Sequence, residues 1–127
     1  MRKNQTFFIC ETCQNLIGLI EDHGIPLVCC GADMTELVPN TVEASQEKHL
    51  PALTMDGDTL AVDVGSVPHP MEAAHHISFI YVETEKGGQR KGLEIGSVPT
   101  AKFAFVGDKP LAVYAYCNLH GMWKTEV

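Results

Sequence analysis

The stretch His75-His76-Ile77-Ser78-Phe79-Ile80-Tyr81-Val82 decides the fold. From Ile77 onward it is almost wholly apolar, β-branched or aromatic, the composition of a central strand. Working outward, Lys86-Gly87-Gly88-Gln89 turns the chain back toward Leu93 and Ile95. Upstream, Leu60, Val62 and Val64 alternate with Ala61 and Asp63, a half-buried strand preceded by the Asp56-Gly57 turn signal. Downstream, Ala101, Phe103 and Phe105 alternate with Lys102 and Ala104. Gly107-Asp108-Lys109-Pro110 then turns into the apolar run Leu111 to Tyr116, and Met122 to Val127 closes the chain. Short strands with turns every 8–12 residues or so, and no amphipathic helix, predict an antiparallel β-sandwich over residues 38–127. Phe79, Phe103, Phe105, Tyr114 and Trp123 read as packing residues.

Composition narrows the function. The net charge is −7, which argues against nucleic acid or an anionic membrane as partner, since both call for a basic surface. A small anion remains open as substrate, because one local cation can attract it. Arg2 and Lys3 precede an apolar run of only Phe7 to Ile9, too short for a signal-peptide core. No run approaches the roughly 20 residues of a membrane span. A cytoplasmic location is therefore expected. There thiols stay reduced, so the five cysteines read as metal ligands rather than disulfides.

Four of them cluster early. Cys10-Glu11-Thr12-Cys13 is followed, after fifteen intervening residues, by Cys29-Cys30. Two thiolate pairs make a tetrahedral S4 site, suited to zinc or a single iron. Between the pairs lie Leu16 to Ile20, read as a strand, and a polar turn at Glu21-Asp22-His23-Gly24, in which His23 is a solvated residue. The expectation is a metal-stapled module over residues 1–37, for which metal binding is also folding free energy. Gly31 to Asn40 reads as the connection to the main domain. The adjacent pair Cys29-Cys30 cannot close the usual loose chelate turn. In this the module resembles desulforedoxin, a small rubredoxin-like iron protein; a zinc ribbon is the alternative.

The fifth cysteine stands in Cys117-Asn118-Leu119-His120-Gly121. His49 lies in the loop Glu47-Lys48-His49-Leu50-Pro51, and His69 sits between Pro68 and Pro70, where fixed φ angles suit a pre-aimed ligand. His75-His76 opens the central strand. Neighbours in a strand point to opposite faces, so only one of the two should reach a shared centre, and spacing does not say which. One thiol and several imidazoles suit iron, zinc or copper.

Glu47-Lys48-His49-Leu50-Pro51, His69-Pro70-Met71-Glu72-Ala73-Ala74-His75 and Cys117-Asn118-Leu119-His120-Gly121, in that order, resemble the motifs of the superoxide reductases. With the desulforedoxin-like module in front, the whole chain is similar to the desulfoferrodoxins, the two-iron members of that family. The resemblance implies an immunoglobulin-like sandwich, a homodimer and two irons per chain. One iron would be held by Cys10, Cys13, Cys29 and Cys30. The other would be ferrous, with His49, His69, His75 and His120 in its equatorial plane and Cys117 as axial thiolate. The implied activity is one-electron reduction of superoxide to hydrogen peroxide, with electrons from a donor such as rubredoxin. Lys48 would attract the anion, and Glu47 would take the open position once the iron is ferric. Two other readings compete: a rubredoxin-like electron carrier that binds no substrate, and a zinc-stabilised binding module.

Overall fold

The structure is a computed structural model that describes residues 5–127. Arg2 and Lys3 lie outside the described residues. The chain forms two compact units, one running to Val38 and the other from Pro39 to Val127.

The first unit is built from five very short strands. β1 (Phe7–Ile9) lies between β2 (Leu16–Gly18) and β5 (Thr35–Glu36), antiparallel to both, while β3 (Val28–Cys29) pairs with β4 (Ala32–Asp33). Phe7 and Ile9 are buried. The segment Gly31 to Asn40, read above as a connection, thus contributes β4 and β5 to this unit. Strands of two residues carry no periodicity, and main-chain pairing alone defines them. β2 is also shorter than the Leu16–Ile20 run suggested. Leu19 still donates its N–H to Thr6 O at 3.1 Å, but Ile20 is wholly exposed.

The second unit begins with a feature that sequence reading took for a loop. A single helical turn, α1 (Gln46–His49), ends where Pro51 opens β6 (Pro51–Asp56). A two-residue turn, with Gly57 at φ 59°, leads into β7 (Thr59–Val64). Then come β8 (Ile77–Thr84), β9 (Gly88–Gly92), β10 (Thr100–Ala104), β11 (Pro110–Cys117) and β12 (Gly121–Glu126). The return strand after β8 is the polar β9, not the stretch around Leu93 and Ile95, and Ile95 is exposed.

Two antiparallel sheets result, in the orders β10-β7-β6 and β12-β11-β8-β9. Leu60, Val62, Val64 and Phe103 from the first face Ile80, Val82, Val113 and Ala115 from the second in one core. This is the mainly β sandwich that the strand pattern predicts. Side chains close both edges: Thr125 Oγ1 donates to Pro51 O at 2.7 Å, and Gln89 Nε2 donates to Ala104 O at 2.9 Å. Among the described residues no helix is long and apolar enough to cross a membrane.

One irregularity positions the site. β8 and β11 pair Phe79 with Tyr116 but Ile77 with Cys117, so Ser78 is an extra residue on β8. Such a β-bulge shifts the inside–outside alternation by one residue. Ile80 and Val82 face the core on one side of it, and Ile77 does so on the other.

Candidate metal centre

Four loop segments at the same end of the sandwich bring imidazoles together. His49 closes α1, whose turn is sealed by Leu50 N–H donating to Gln46 O at 2.9 Å. His69 follows β7, and its N–H donates to Val64 O at 2.9 Å. His75 ends a tight turn paired with Glu72 through two backbone hydrogen bonds of 2.9 and 3.1 Å. Cys117 and His120 belong to the β11–β12 turn, which returns at Gly121 with φ 79°. The candidate ligand atoms of His49, His69, His75 and Cys117 all lie within 4.8 Å of one another. His120 joins them through Nδ1, 3.1 Å from His49 Nε2 and 3.8 Å from Cys117 Sγ.

Tautomers show what this cluster is built to hold. His49 Nδ1 lies 2.6 Å from Ser45 O, and His69 Nδ1 lies 2.7 Å from Pro70 O. A carbonyl oxygen only accepts, so each Nδ1 carries the hydrogen and each Nε2 presents a bare lone pair. Those two Nε2 atoms face each other at 3.2 Å, a repulsive contact unless a cation lies between the ligands. His75 Nε2 is buried with no hydrogen-bond partner. Burial depresses the pKa of His49 and His75 and takes His69 down to about 4, with neighbouring positive charge adding to the effect. These imidazoles are therefore held neutral, as metal ligands must be. Burial also pushes the Cys117 thiol up, against N–H groups of Leu119 and His120 that favour the thiolate. A metal ion would supply the charge that the thiolate needs. The donor set fits a transition metal well.

The bulge at Ser78 bears on the histidine pair. Carried back unbroken, the alternation of Ile80 and Val82 would bring His76 to the core side. With one residue inserted, Ile77 and then His75 fall there instead. His76 turns away, with Nδ1 3.0 Å from Glu72 O.

Two residues brace the cluster that sequence reading did not place there. Trp123, taken for packing, stacks on the His49 ring and donates Nε1–H to His120 O at 3.1 Å. Nothing in its local sequence marks this. Asn118 accepts from His76 N–H at 2.8 Å, donates Nδ2–H to Ala74 O at 3.0 Å, and donates its own N–H to His76 O at 3.2 Å. It ties the residues on either side of His75 to the residue after Cys117. Its place inside the Cys-Asn-x-His-Gly motif was the available signal. Glu47 and Lys48 lie exposed on α1, next to His49. The Lys48 charge reaches His49 and His75, and disfavours a proton on either.

In the first unit the Sγ atoms of Cys10, Cys13, Cys29 and Cys30 also lie within 4.8 Å of one another. Cys13 N–H donates to Cys10 Sγ at 3.5 Å, and Cys13 Sγ lies 3.6 Å from Cys29 Sγ. The adjacent pair is accommodated by left-handed backbone at Cys30 (φ 52°) and Gly31 (φ 74°). The Cys13 N–H holds the Cys10 thiol down at about 6. Its hydrogen bond to Cys10 pushes Cys29 up to about 12. Four crowded thiols that cannot all ionise alone suit a tetrahedral cation.

The family model for desulfoferrodoxin matches residues 41–126, the span that carries all four imidazoles and Cys117. The chain belongs to the desulfoferrodoxin family. It is 40% identical over 126 residues to a desulfoferrodoxin of Syntrophotalea carbinolica, with 99% of each chain covered. It is 33% identical over 99 residues to a superoxide reductase of Pyrococcus horikoshii, covering 64% of this chain and 86% of that one. The crystal structure of the superoxide reductase from Treponema pallidum superposes with a TM-score of 0.83 at 34% identity, covering 98% of this chain and 100% of that one. Desulfoferrodoxin membership, the four-cysteine cluster and the histidine–cysteine cluster together give a chain equipped for two irons.

Proposed function

We propose that this desulfoferrodoxin is a superoxide reductase. It would reduce superoxide by one electron to hydrogen peroxide at a mononuclear iron held by His49, His69, His75, His120 and Cys117. The observation that carries the reading is the pair of bare Nε2 lone pairs of His49 and His69, 3.2 Å apart, beside the orphaned Nε2 of His75. Iron held by these residues would supply one-electron redox chemistry, with an external donor of rubredoxin type as the proposed source of electrons. The chain's own residues do the rest. Neutral imidazoles bring no negative charge to the site, so Cys117 is its one anionic ligand and the charge of a bound iron would not be cancelled. The Lys48 ammonium, exposed next to His49, draws superoxide in against the net negative charge of the chain. Its Nζ would also be a source of protons next to His49, and two protons are consumed for each peroxide formed. Glu47, one residue earlier, is proposed as a further carboxylate that would ligate the iron in its ferric state. Cys10, Cys13, Cys29 and Cys30 are proposed to hold a second iron, whose four thiolates would leave it a structural rather than a catalytic centre, and to support a homodimer. Residues 1–37 and 38–127 then divide the work as structural and catalytic domains. The proposed setting is the cytoplasm, with neither membrane nor nucleic acid as partner.

The test is metal content and visible absorption before and after one equivalent of oxidant, on the wild type and on Cys117→Ser. Two irons per chain, with a thiolate band that appears on oxidation and is missing in Cys117→Ser, are expected. One metal per chain, indifferent to Cys117, would remove the catalyst from this reading.

A further inference from the structure

Gly65 follows the last residue of β7 and is buried. A Cβ placed on it would lie 2.6 Å from Glu47 O, 2.9 Å from Leu50 O and 3.0 Å from the carbonyl carbon of Lys48. All three atoms are main chain, so no rotamer change relieves the contact. Its φ lies outside the left-handed region, so the demand for glycine here is steric rather than conformational. All three atoms belong to the turn that carries Glu47, Lys48 and His49. The segment after Gly65 grips the same turn: Val67 N–H donates to Glu47 O at 2.9 Å, and Ser66 Oγ donates to it at 3.2 Å. That segment then runs on to His69, anchored to Val64 O.

We propose that Gly65 is a positioning residue: by lacking a side chain it lets the Glu47–Leu50 backbone seat directly on the end of β7, which sets where Lys48 and His49 stand relative to His69. The steering part of the proposal rests on the superoxide reductase reading; the placement of His49 does not. A displacement of about 1 Å in a positioning element can cost on the order of a hundredfold in rate.

Two readouts test it on Gly65→Ala, with Gly87→Ala as control, since a Cβ there meets nothing within 4 Å. In the first, iron-free protein is titrated with cobalt(II) and followed by absorption, with the four-cysteine site as internal reference. Gly65→Ala should bind cobalt at the histidine–cysteine site about tenfold more weakly, as altered supports of metal ligands typically do. In the second, the salt dependence of superoxide capture is measured on iron-loaded protein. The slope should flatten toward that of Lys48→Ala, and Gly65→Ala should flatten nothing further in a Lys48→Ala background. Ser66→Ala, an exposed and milder change, should shift both readouts in the same direction. A Gly65→Ala protein that loses thermal stability alone, with cobalt affinity and salt slope unchanged, overturns the proposal. If Gly65→Ala does not fold, unchanged readouts in Ser66→Ala do so. A wild type that does not reduce superoxide sinks the functional reading instead, and the cobalt titration still decides the placement of His49.

Discussion

The indole of Trp123 lies stacked on the imidazole of His49, ring centroids 4.9 Å apart and planes at 28°. Its Nε1–H reaches on to His120 O at 3.1 Å, so one buried side chain steadies two imidazoles from separate loops. Trp123→Phe keeps an aromatic face against His49 but loses the hydrogen bond. We expect the fold to survive and metal affinity at the histidine–cysteine site to fall about tenfold. Trp123→Ala should in addition cost about 3–5 kcal/mol of stability, as large-to-small changes in a core do. Metal titration and thermal unfolding of the two variants check this. Equal affinity in wild type and Trp123→Phe would reduce the indole to packing.

Asn118 is exposed, yet three hydrogen bonds run from it across the two loops that carry His75 and Cys117. Asn118→Ala removes the two made by the side chain. Hydrogen bonds are worth about 0.5–1.5 kcal/mol each, so the thermal midpoint should fall by several degrees while the fold survives. The thiolate-to-metal absorption band should shift, because Cys117 and His75 lose their common brace. An unmoved band with a lowered midpoint would contradict this.

Cys13→Ser removes a thiol from the first unit while leaving the histidine–cysteine cluster whole. The expected outcome is one iron per chain, weaker self-association and retained superoxide reduction. A folded variant with its second iron in place but no activity would show that the first iron takes part in the reaction.

Burial holds His69 at about 4, against an ordinary 6.5, and depresses His49 and His75 as well. Well above pH 6.5 these rings are neutral in both folded and unfolded chains, and stability is fully present. As pH falls from 6.5 toward 4, the unfolded chain takes up protons that the folded chain refuses, so stability drops. Iron-free protein should therefore unfold at lower urea concentration at pH 5 than at pH 7.5. His69→Asn should show a shallower dependence. A urea midpoint that does not change over this range would count against neutral, buried imidazoles.

Much of the fold was legible because local chemistry wrote it. Alternation in β7 and β10, the Asp56-Gly57 turn and the apolar run of β8 each depend on a few consecutive residues. The four-residue helix α1 was not legible, because one turn ended by proline has no room for a helical period. β4 and β5 escaped for the same reason at strand period. The polar β9 was missed because an edge strand needs no apolar side chains to pair its backbone. Trp123 carried no signal at all, since a tryptophan against the core and a tryptophan against a metal ligand have the same neighbours in sequence.

By itself the sequence determined the inventory of donors: four cysteines in two pairs, and imidazoles and a thiol in three motifs with fixed order. It did so because each motif is a local constraint on loop geometry and chemistry. Family resemblance favoured His75 over His76, but alternation alone could not choose between them. That choice belongs to the tertiary structure. One extra residue, Ser78, opposite the Tyr116–Cys117 step of β11 reverses which side of the strand faces inward. Strand register is a relation between two segments some thirty residues apart, and no property of either segment alone contains it.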